Sequence, residues 1–179
     1  EAVRMEATGY YTRYKNAIST GKATFNGKDS ILYSGTLSEV LSPLNKTKAY
    51  IYGTSWNFVA DITNAFSVTS SLNYVYGRIK TDTVDAPLDH IPPVFGKTSF
   101  NLKLNKFRSE FFILYNGAKL SKDYNLSGED NQSYSADPKN GYMPSWHTLN
   151  ARTSFQFTKN IQLQMSCENI LDRHYRVFA

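Results

Sequence analysis

Apolar and polar residues alternate with a period of two along most of the chain. Tyr50, Tyr52, Trp56 and Phe58 fall on one face of a segment whose other face carries Ala49, Ile51, Gly53, Ser55 and Asn57. Phe66, Val68, Leu72, Tyr74 and Tyr76 are interleaved with Ser67, Thr69, Ser71 and Asn73, and Phe100, Leu102 and Leu104 with Lys97, Ser99, Asn101 and Lys103. Leu149, Ala151, Phe155 and Phe157 oppose Asn150, Arg152, Ser154 and Gln156; Ile161, Leu163, Met165 and Cys167 oppose Gln162, Gln164, Ser166 and Glu168. Successive side chains of an extended strand point to opposite faces, so the pattern marks strands with one apolar and one polar face. Between 108 and 119, Phe111, Ile113 and Tyr115 share one side and Glu110 and Asn116 the other, while Phe112 and Leu114 blur the alternation.

The alternation predicts seven strands, at 2–18, 46–60, 66–81, 94–105, 108–120, 145–158 and 161–178. They run roughly 10 to 17 residues, against about 5–6 for a globular strand; a tilted membrane strand needs about 9–11 to cross. Short connections near Asp61–Asn64, Asn105–Phe107 and Thr158–Asn160 alternate with long ones at 19–46, 81–95 and 120–145. Membrane barrels segregate tight periplasmic turns from long extracellular loops in this way, whereas a soluble meander has no reason to. The long segments are wet and rich in turn formers: Asp123, Asn125, Ser127, Gly128, Glu129 and Asp130 in one, Asp82, Asp85, Pro87, Asp89, Pro92 and Pro93 in another. The expected fold is therefore all-β, an antiparallel transmembrane β-barrel. Single-chain bacterial barrels have even strand numbers, and an open wall leaves backbone unpaired in lipid. The seven strands are thus expected to be part of a larger barrel, unless an eighth hides around Ile31-Leu32-Tyr33.

Composition sharpens this picture. Tyr (13), Phe (11) and Trp (2) make up 15% of the chain and 41% is hydrophobic, yet the mean hydropathy is negative. Such a balance suits surfaces divided finely between apolar and wet. One of the densest apolar runs is Phe111–Tyr115, far short of the roughly 20 residues a spanning helix needs, and a closed barrel is the other structure that satisfies every amide in lipid. Tyr10, Tyr11, Tyr14, Tyr74, Tyr76, Tyr175 and Phe178 gather toward strand ends, as interfacial girdles do, although strands favour aromatics in any setting. The net charge of +5 is spread over Lys46, Lys48, Arg78, Lys80, Lys97, Lys103, Lys106 and Arg108; without a clustered basic motif, no nucleic-acid partner is expected. Cys167 is the only cysteine, so there is neither a disulfide framework nor a CxxC metal site. No GxSxG, HExxH or P-loop is present, so no enzyme and no cofactor is expected. Glu1-Ala2-Val3-Arg4 shows no signal-peptide pattern.

Four segments resemble the last part of the barrel in TonB-dependent outer-membrane receptors. Gly9–Ile18 looks like the family's aromatic strand ending in YK(D/N)xI. Pro87-Leu88-Asp89-His90-Ile91-Pro92-Pro93 is similar to its PLxxIPP loop, and Pro144-Ser145-Trp146-His147-Thr148-Leu149-Asn150 to its PxWxxLN strand start. Glu168-Asn169-Ile170-Leu171-Asp172-Arg173-His174-Tyr175-Arg176 is close to its ENLxDxxYR signature. In this order and spacing the segments cover nearly all of the chain. The family's plug, its TonB-contacting segment and its final strand are not among these residues, which would make the chain the C-terminal part of the barrel, residues 1–179.

The resemblance implies a large plugged barrel, as in 22-stranded outer-membrane transporters. It also implies a place in the outer membrane of a Gram-negative bacterium, in contact with its lipid. The implied role is uptake of a scarce small molecule of the ferric siderophore, haem or cobalamin class, energised by the TonB complex through the plug. The ligand site would then draw on loops 19–46, 81–95 and 120–145. His90 is a candidate ligand to haem iron, although a lone loop histidine is more often a polar surface residue. Tyr124, Tyr134 and Trp146 are candidates to stack on an aromatic ligand, against interface anchoring or loop packing as the plainer roles. Arg152 is a candidate for an anionic ligand, or more simply for a pair with Glu110 or Glu168 inside the lumen. Two other readings stand beside this one: a small free-standing barrel or porin-like channel, and a soluble β-sandwich binding module.

Overall fold

The computed structural model describes residues 2–80, 85–125 and 143–177. Among the described residues ten strands are formed, in chain order β1 (Val3–Lys22), β2 (Ser30–Tyr33), β3 (Thr36–Glu39), β4 (Leu41–Asp61), β5 (Phe66–Lys80), β6 (Asp85–Pro87), β7 (Phe95–Leu104), β8 (Phe107–Asn116), β9 (Trp146–Thr158) and β10 (Ile161–Cys167). The seven long ones make a single antiparallel sheet in the order β1-β4-β5-β7-β8-β9-β10. These are the seven strands expected from the alternation. Chain order is spatial order, with β1 and β10 at the two edges, so this stretch of barrel wall does not close on itself.

The short turns sit where turn chemistry puts them. Thr63 Oγ1 accepts the backbone N–H of Ala65 and of Phe66, at 3.1 and 2.9 Å, and closes the β4–β5 connection. The β7–β8 turn is two residues, with Asn105 at φ 45° between paired Leu104 and Phe107. At the β9–β10 turn Thr158 Oγ1 accepts the Asn160 N–H. Asparagine tolerates the left-handed region, and hydroxyl side chains stand in for a backbone acceptor.

The register carries each face across the wall. Val68 is opposite Phe100, Phe100 opposite Phe111, Phe111 opposite Ala151 and Ala151 opposite Cys167. One residue over, Ser67, Asn101, Glu110, Arg152 and Ser166 form the matching row on the other face. Phe112 and Leu114 belong to that second face, where they stand opposite Asn150 and Thr148. The apolar face is uncovered: Met5, Trp56 and Met165 are 64%, 42% and 66% exposed. Among the described residues no second sheet packs on it, as a sandwich requires. A water-soluble monomer rarely exposes an apolar surface on this scale.

Several boundaries differ from expectation. β1 and β4 pair as far as Lys22 and Leu41, beyond the expected limits at 18 and 46. The ladder there satisfies backbone groups whatever the side chains, so polar Ser19-Thr20-Gly21 carries no alternation signal. Asn16 within it takes φ 58°. Ile31-Leu32-Tyr33 does form a strand, but β2 pairs only with β3 in a separate hairpin, turned by Ser34 and Gly35 at φ 47° and 82°. It therefore adds nothing to the wall. β8 ends at Asn116 rather than 120, although the Gly117 N–H still bonds the Val94 carbonyl at 2.6 Å, one pair further along the β7–β8 register. β10 ends at Cys167 rather than 178: Asn169 and Asp172 adopt φ 52° and 47°, and the chain leaves the ladder.

Aromatic placement is also mixed. Tyr11, Tyr50, Tyr52, Tyr74 and Tyr76 cluster on the apolar face, with neighbouring ring centroids 5.1 to 6.5 Å apart. Tyr10 pairs with Gly53 on the opposite face, and Tyr14 shares that face. A Cβ at Gly53 would stand 2.5 Å from the Tyr10 hydroxyl, so the glycine makes room for the ring.

Candidate functional site

Two regions of the wall gather polar chemistry, one at each end of the polar face. At the short-turn end a trough of about 860 Å³ is lined by residues that include Asn101, Arg108, Glu110, Arg152, Ser166 and Glu168. An ordered cluster borders it through Glu110 and Arg152. Lys97 Nζ donates to Glu110 Oε1 at 2.6 Å, and Ser99 Oγ donates to the same oxygen at 2.8 Å. Lys97 and Arg152 both lie over the ring of Phe112, at 4.2 and 4.9 Å from its centroid. Arg152 Nη2 then reaches Glu168 Oε1 at 3.1 Å. An aromatic ring between two cations, each with its own carboxylate, is a self-neutralising arrangement.

The third and fourth family-like segments meet above this cluster. Asn150, 3% exposed, donates through Nδ2 to the carbonyls of Phe112 and Thr148, and its Oδ1 accepts the backbone N–H of Asn169 at 2.9 Å. Asn169 exchanges two side-chain hydrogen bonds with the backbone of Arg173, each 3.0 Å long. The tail that follows brings Tyr175 onto Trp146, with ring centroids 4.5 Å apart. These motifs thus hold the end of β10 against β9.

At the long-loop end, β6 folds back on β5 and the second family-like segment follows it. The Leu88 N–H bonds the Gly77 carbonyl at 3.0 Å. Ile91 lies against Gly77, where its Cδ1 would be 2.9 Å from an added Cβ. Lys119 is 3% exposed; its Nζ donates to the Ile91 carbonyl at 3.0 Å and lies 4.8 Å over the Tyr124 ring. Asn125 Nδ2 reaches Asp89 Oδ2 at 3.4 Å. The two loops are therefore tied together, around a cleft of about 290 Å³ bordered by Tyr76, Arg78, Pro92, Lys119 and Lys122 among others. Nearby, Asp85 accepts from Arg78 Nε at 2.6 Å and pairs with Lys80 at 3.0 Å. Hydrogen bonds from Lys80, then Arg78, hold its carboxyl below the usual range.

The sequence candidates are dispersed. His90 is exposed at the loop tip with φ 60°. Tyr124 is buried beneath Lys119, at 2% exposure, and Trp146 is engaged with Tyr175. Arg152 lies in the trough, paired with Glu168 and over Phe112. Tyr134 lies outside the described residues. Lys97, Phe112 and Lys119 escaped sequence reasoning. Phe112 read as an interruption of the alternation, which was the available signal that an aromatic stands on the polar face. No group of three or more His, Cys, Asp or Glu converges among the described residues.

The family model for TonB dependent receptor-like β-barrels matches residues 2–170. The chain belongs to the TonB-dependent receptor β-barrel family. Solved receptors share its fold. The copper transporter OprC superposes with TM-score 0.75 at 16% identity, over 99% of this chain and 24% of that one. The siderophore receptor PirA from Acinetobacter baumannii gives 0.68 at 18%, over 97% and 26%. The ferric enterobactin receptor PfeA from Pseudomonas aeruginosa gives 0.67 at 14%, over 97% and 24%. This stretch of TonB-dependent receptor barrel thus spans about a quarter of the length of each receptor it matches. No curated protein matched the sequence.

Proposed function

We propose that residues 1–179 are the C-terminal part of the barrel wall of a Gram-negative outer-membrane receptor. The receptor takes up a scarce ligand of the ferric siderophore, haem or cobalamin class. The observation that carries this reading is the two-faced wall: one sheet thick, apolar on one side, polar and ion-paired on the other, with all short turns at one end. An apolar face of this extent is suited to lipid, and a polar face to an enclosed lumen. A barrel of about 22 strands is too wide to select by diffusion, so it needs a plug and a tight outer site. The TonB complex is read as acting through that plug, on the trough side of the wall. The mechanism is capture and gating, with no chemistry on the ligand.

Metal-chelate cargo is supported by the named ligands of PfeA and PirA, ferric enterobactin and a siderophore. On this wall, exposed His90 and exposed Lys122 at the border of the cleft are the residues proposed to meet ligand from outside. Trp146 and Tyr124 are read as packing anchors, and Arg152 as a lumenal pairing residue. The test is tryptophan fluorescence of the whole receptor in detergent, titrated with ferric siderophores, haemin, cobalamin and copper, beside growth of a deletion strain on each. Saturable quenching by one ligand, with matching loss of growth, is the expected result. Non-selective solute flux through reconstituted protein would favour the porin-like alternative. A stable monomer in plain buffer would favour the sandwich.

A further inference from the structure

Asn-Gly occurs three times in the chain, as Asn26-Gly27, Asn116-Gly117 and Asn140-Gly141. The last pair lies outside the described residues. The other two are held in opposite ways. Asn26 and Gly27 make a two-residue turn in the 19–46 segment, at φ 50° and 77°, between Phe25 and Lys28, which exchange backbone hydrogen bonds of 2.8 and 3.1 Å. Both turn residues are exposed, and a Cβ added to Gly27 would meet nothing within 4 Å. The Gly27 N–H makes no hydrogen bond among the described residues. Asn116, by contrast, is 8% exposed and paired on both sides, with Phe95 and Trp146. Its Nδ2 donates to the Gly117 carbonyl at 3.1 Å, and the Gly117 N–H donates to the Val94 carbonyl at 2.6 Å. Asn105 supplies a third case: it is exposed in the β7–β8 turn at φ 45°, but Lys106 follows it instead of glycine.

An asparagine side-chain carbonyl can be attacked by the backbone nitrogen of the next residue, closing a five-membered imide. A side chain on that next residue obstructs the approach, and glycine has none. We propose that Asn26 is a self-modification site, converted without an enzyme to aspartyl and isoaspartyl forms in the folded protein, while the ladder protects Asn116. The Gly27 nitrogen gives up its proton and bonds to Asn26 Cγ; the Cγ–Nδ2 bond breaks, and Nδ2 leaves with that proton as ammonia. Water then opens the imide. Cleavage of the bond from the nitrogen to Cγ leaves an aspartyl residue, and cleavage at the main-chain carbonyl leaves an isoaspartyl one. Water enters, ammonia departs, and nothing is oxidised or reduced. The isoaspartyl form carries an extra methylene in the main chain. A two-residue turn between paired residues has a fixed backbone geometry with no place for it, so the Phe25–Lys28 pair opens and a new carboxylate stands beside Lys28. At Asn116 the attacking nitrogen must first leave Val94, so reaction proceeds only through the locally opened fraction. The inference is independent of which ligand the receptor takes.

The experiment incubates the whole receptor in detergent at mildly alkaline pH, folded and, in parallel, unfolded in urea. Peptide mapping by mass spectrometry, with electron-transfer fragmentation to separate the two products, follows each asparagine over time. In the folded receptor Asn116 should convert roughly tenfold to a hundredfold more slowly than Asn26, the factor for stranding a buried backbone donor. Unfolding should bring Asn116 up to the rate of Asn26, while Asn105 stays slow in both states because Lys106 still follows it. Conversion of Asn26 no faster than Asn116 in the folded receptor overturns the proposal. A lag at Asn116 that persists in urea overturns it too, by placing the difference in the local sequence and not in the fold. Equal conversion of Asn105 and Asn26 removes the role given to glycine. Amide exchange at Phe25 and Lys28 is measured on the same samples. It should quicken in step with isoaspartyl content in wild type and stay constant in N26Q, whose longer side chain closes the corresponding ring far more slowly. Exchange that ignores isoaspartyl content overturns the opening of the turn.

Discussion

Asn150 and Asn169 are joined by a hydrogen bond, from the Asn169 backbone N–H to Asn150 Oδ1, of 2.9 Å. One amide side chain thereby uses both ends: its nitrogen serves the carbonyls of β8 and β9, and its oxygen the start of the tail after β10. Asn150→Ala removes these bonds and strands the Asn169 N–H, an expected loss of about 1–3 kcal/mol. Asn150→Asp keeps the acceptor but sets a carboxylate against two carbonyls, so it should rescue little. The midpoint of urea unfolding in lipid vesicles measures both. A wild-type midpoint for Asn150→Ala would show that the tail is held by other means.

Glycine tolerance should follow what each missing Cβ would meet. At Gly96 it would run into the Ser71 backbone carbonyl and stand 2.6 Å from the Tyr115 hydroxyl, which itself donates to Ser71 O at 3.0 Å. A carbonyl within a ladder cannot retreat, so Gly96→Ala is expected to destabilise by about 1–3 kcal/mol. Gly9 meets nothing within 4 Å, so Gly9→Ala should stay within about 0.5 kcal/mol of wild type. Equal thermal midpoints for the two variants would refute this ordering.

Lys97 and Glu110 should behave as a coupled unit. Glu110→Gln leaves a half-buried ammonium facing Phe112 with a weaker partner, whereas Glu110→Gln with Lys97→Met removes both charges. The double variant is expected to be more stable than the sum of the single losses predicts, with a coupling energy of about 0.5–2 kcal/mol. Additive unfolding free energies across the cycle would show that the 2.6 Å contact contributes nothing specific.

Acid should loosen the β5–β6 contact. The Asp85 carboxyl is held below its ordinary value by Lys80 and Arg78. Its contribution is therefore fully present above the ordinary carboxylate pKa of about 3.9, and it is lost as pH falls through the lowered folded value. Carbonyl-carbon NMR of Asp85 should titrate below free aspartate. Amide exchange at Arg78–Lys80 should quicken only under those acid conditions, and Asp85→Asn should show the quicker exchange at neutral pH. An ordinary titration midpoint for Asp85 would end this prediction.

The sequence by itself determined the faces and the hairpins. Neighbouring strand residues point oppositely, so Tyr52, Trp56 and Phe58 had to share a side, and Ser67, Thr69 and Ser71 the other. Thr63, Asn105 and Thr158 set the tight turns because their side chains serve local backbone groups or accept a left-handed φ. Tertiary structure decided whatever depends on residues far apart in the chain. Phe112 is a wall residue between two cations only because the β7–β8–β9 register brings Lys97 and Arg152 beside it. Lys119 is buried because another loop offers the Ile91 carbonyl, and Trp146 is covered because Asn169 turns the tail toward it. Period and turn chemistry are local forces written residue by residue. Convergence of charge, ring and amide across strands arises only when the ladder fixes which distant residues stand opposite one another.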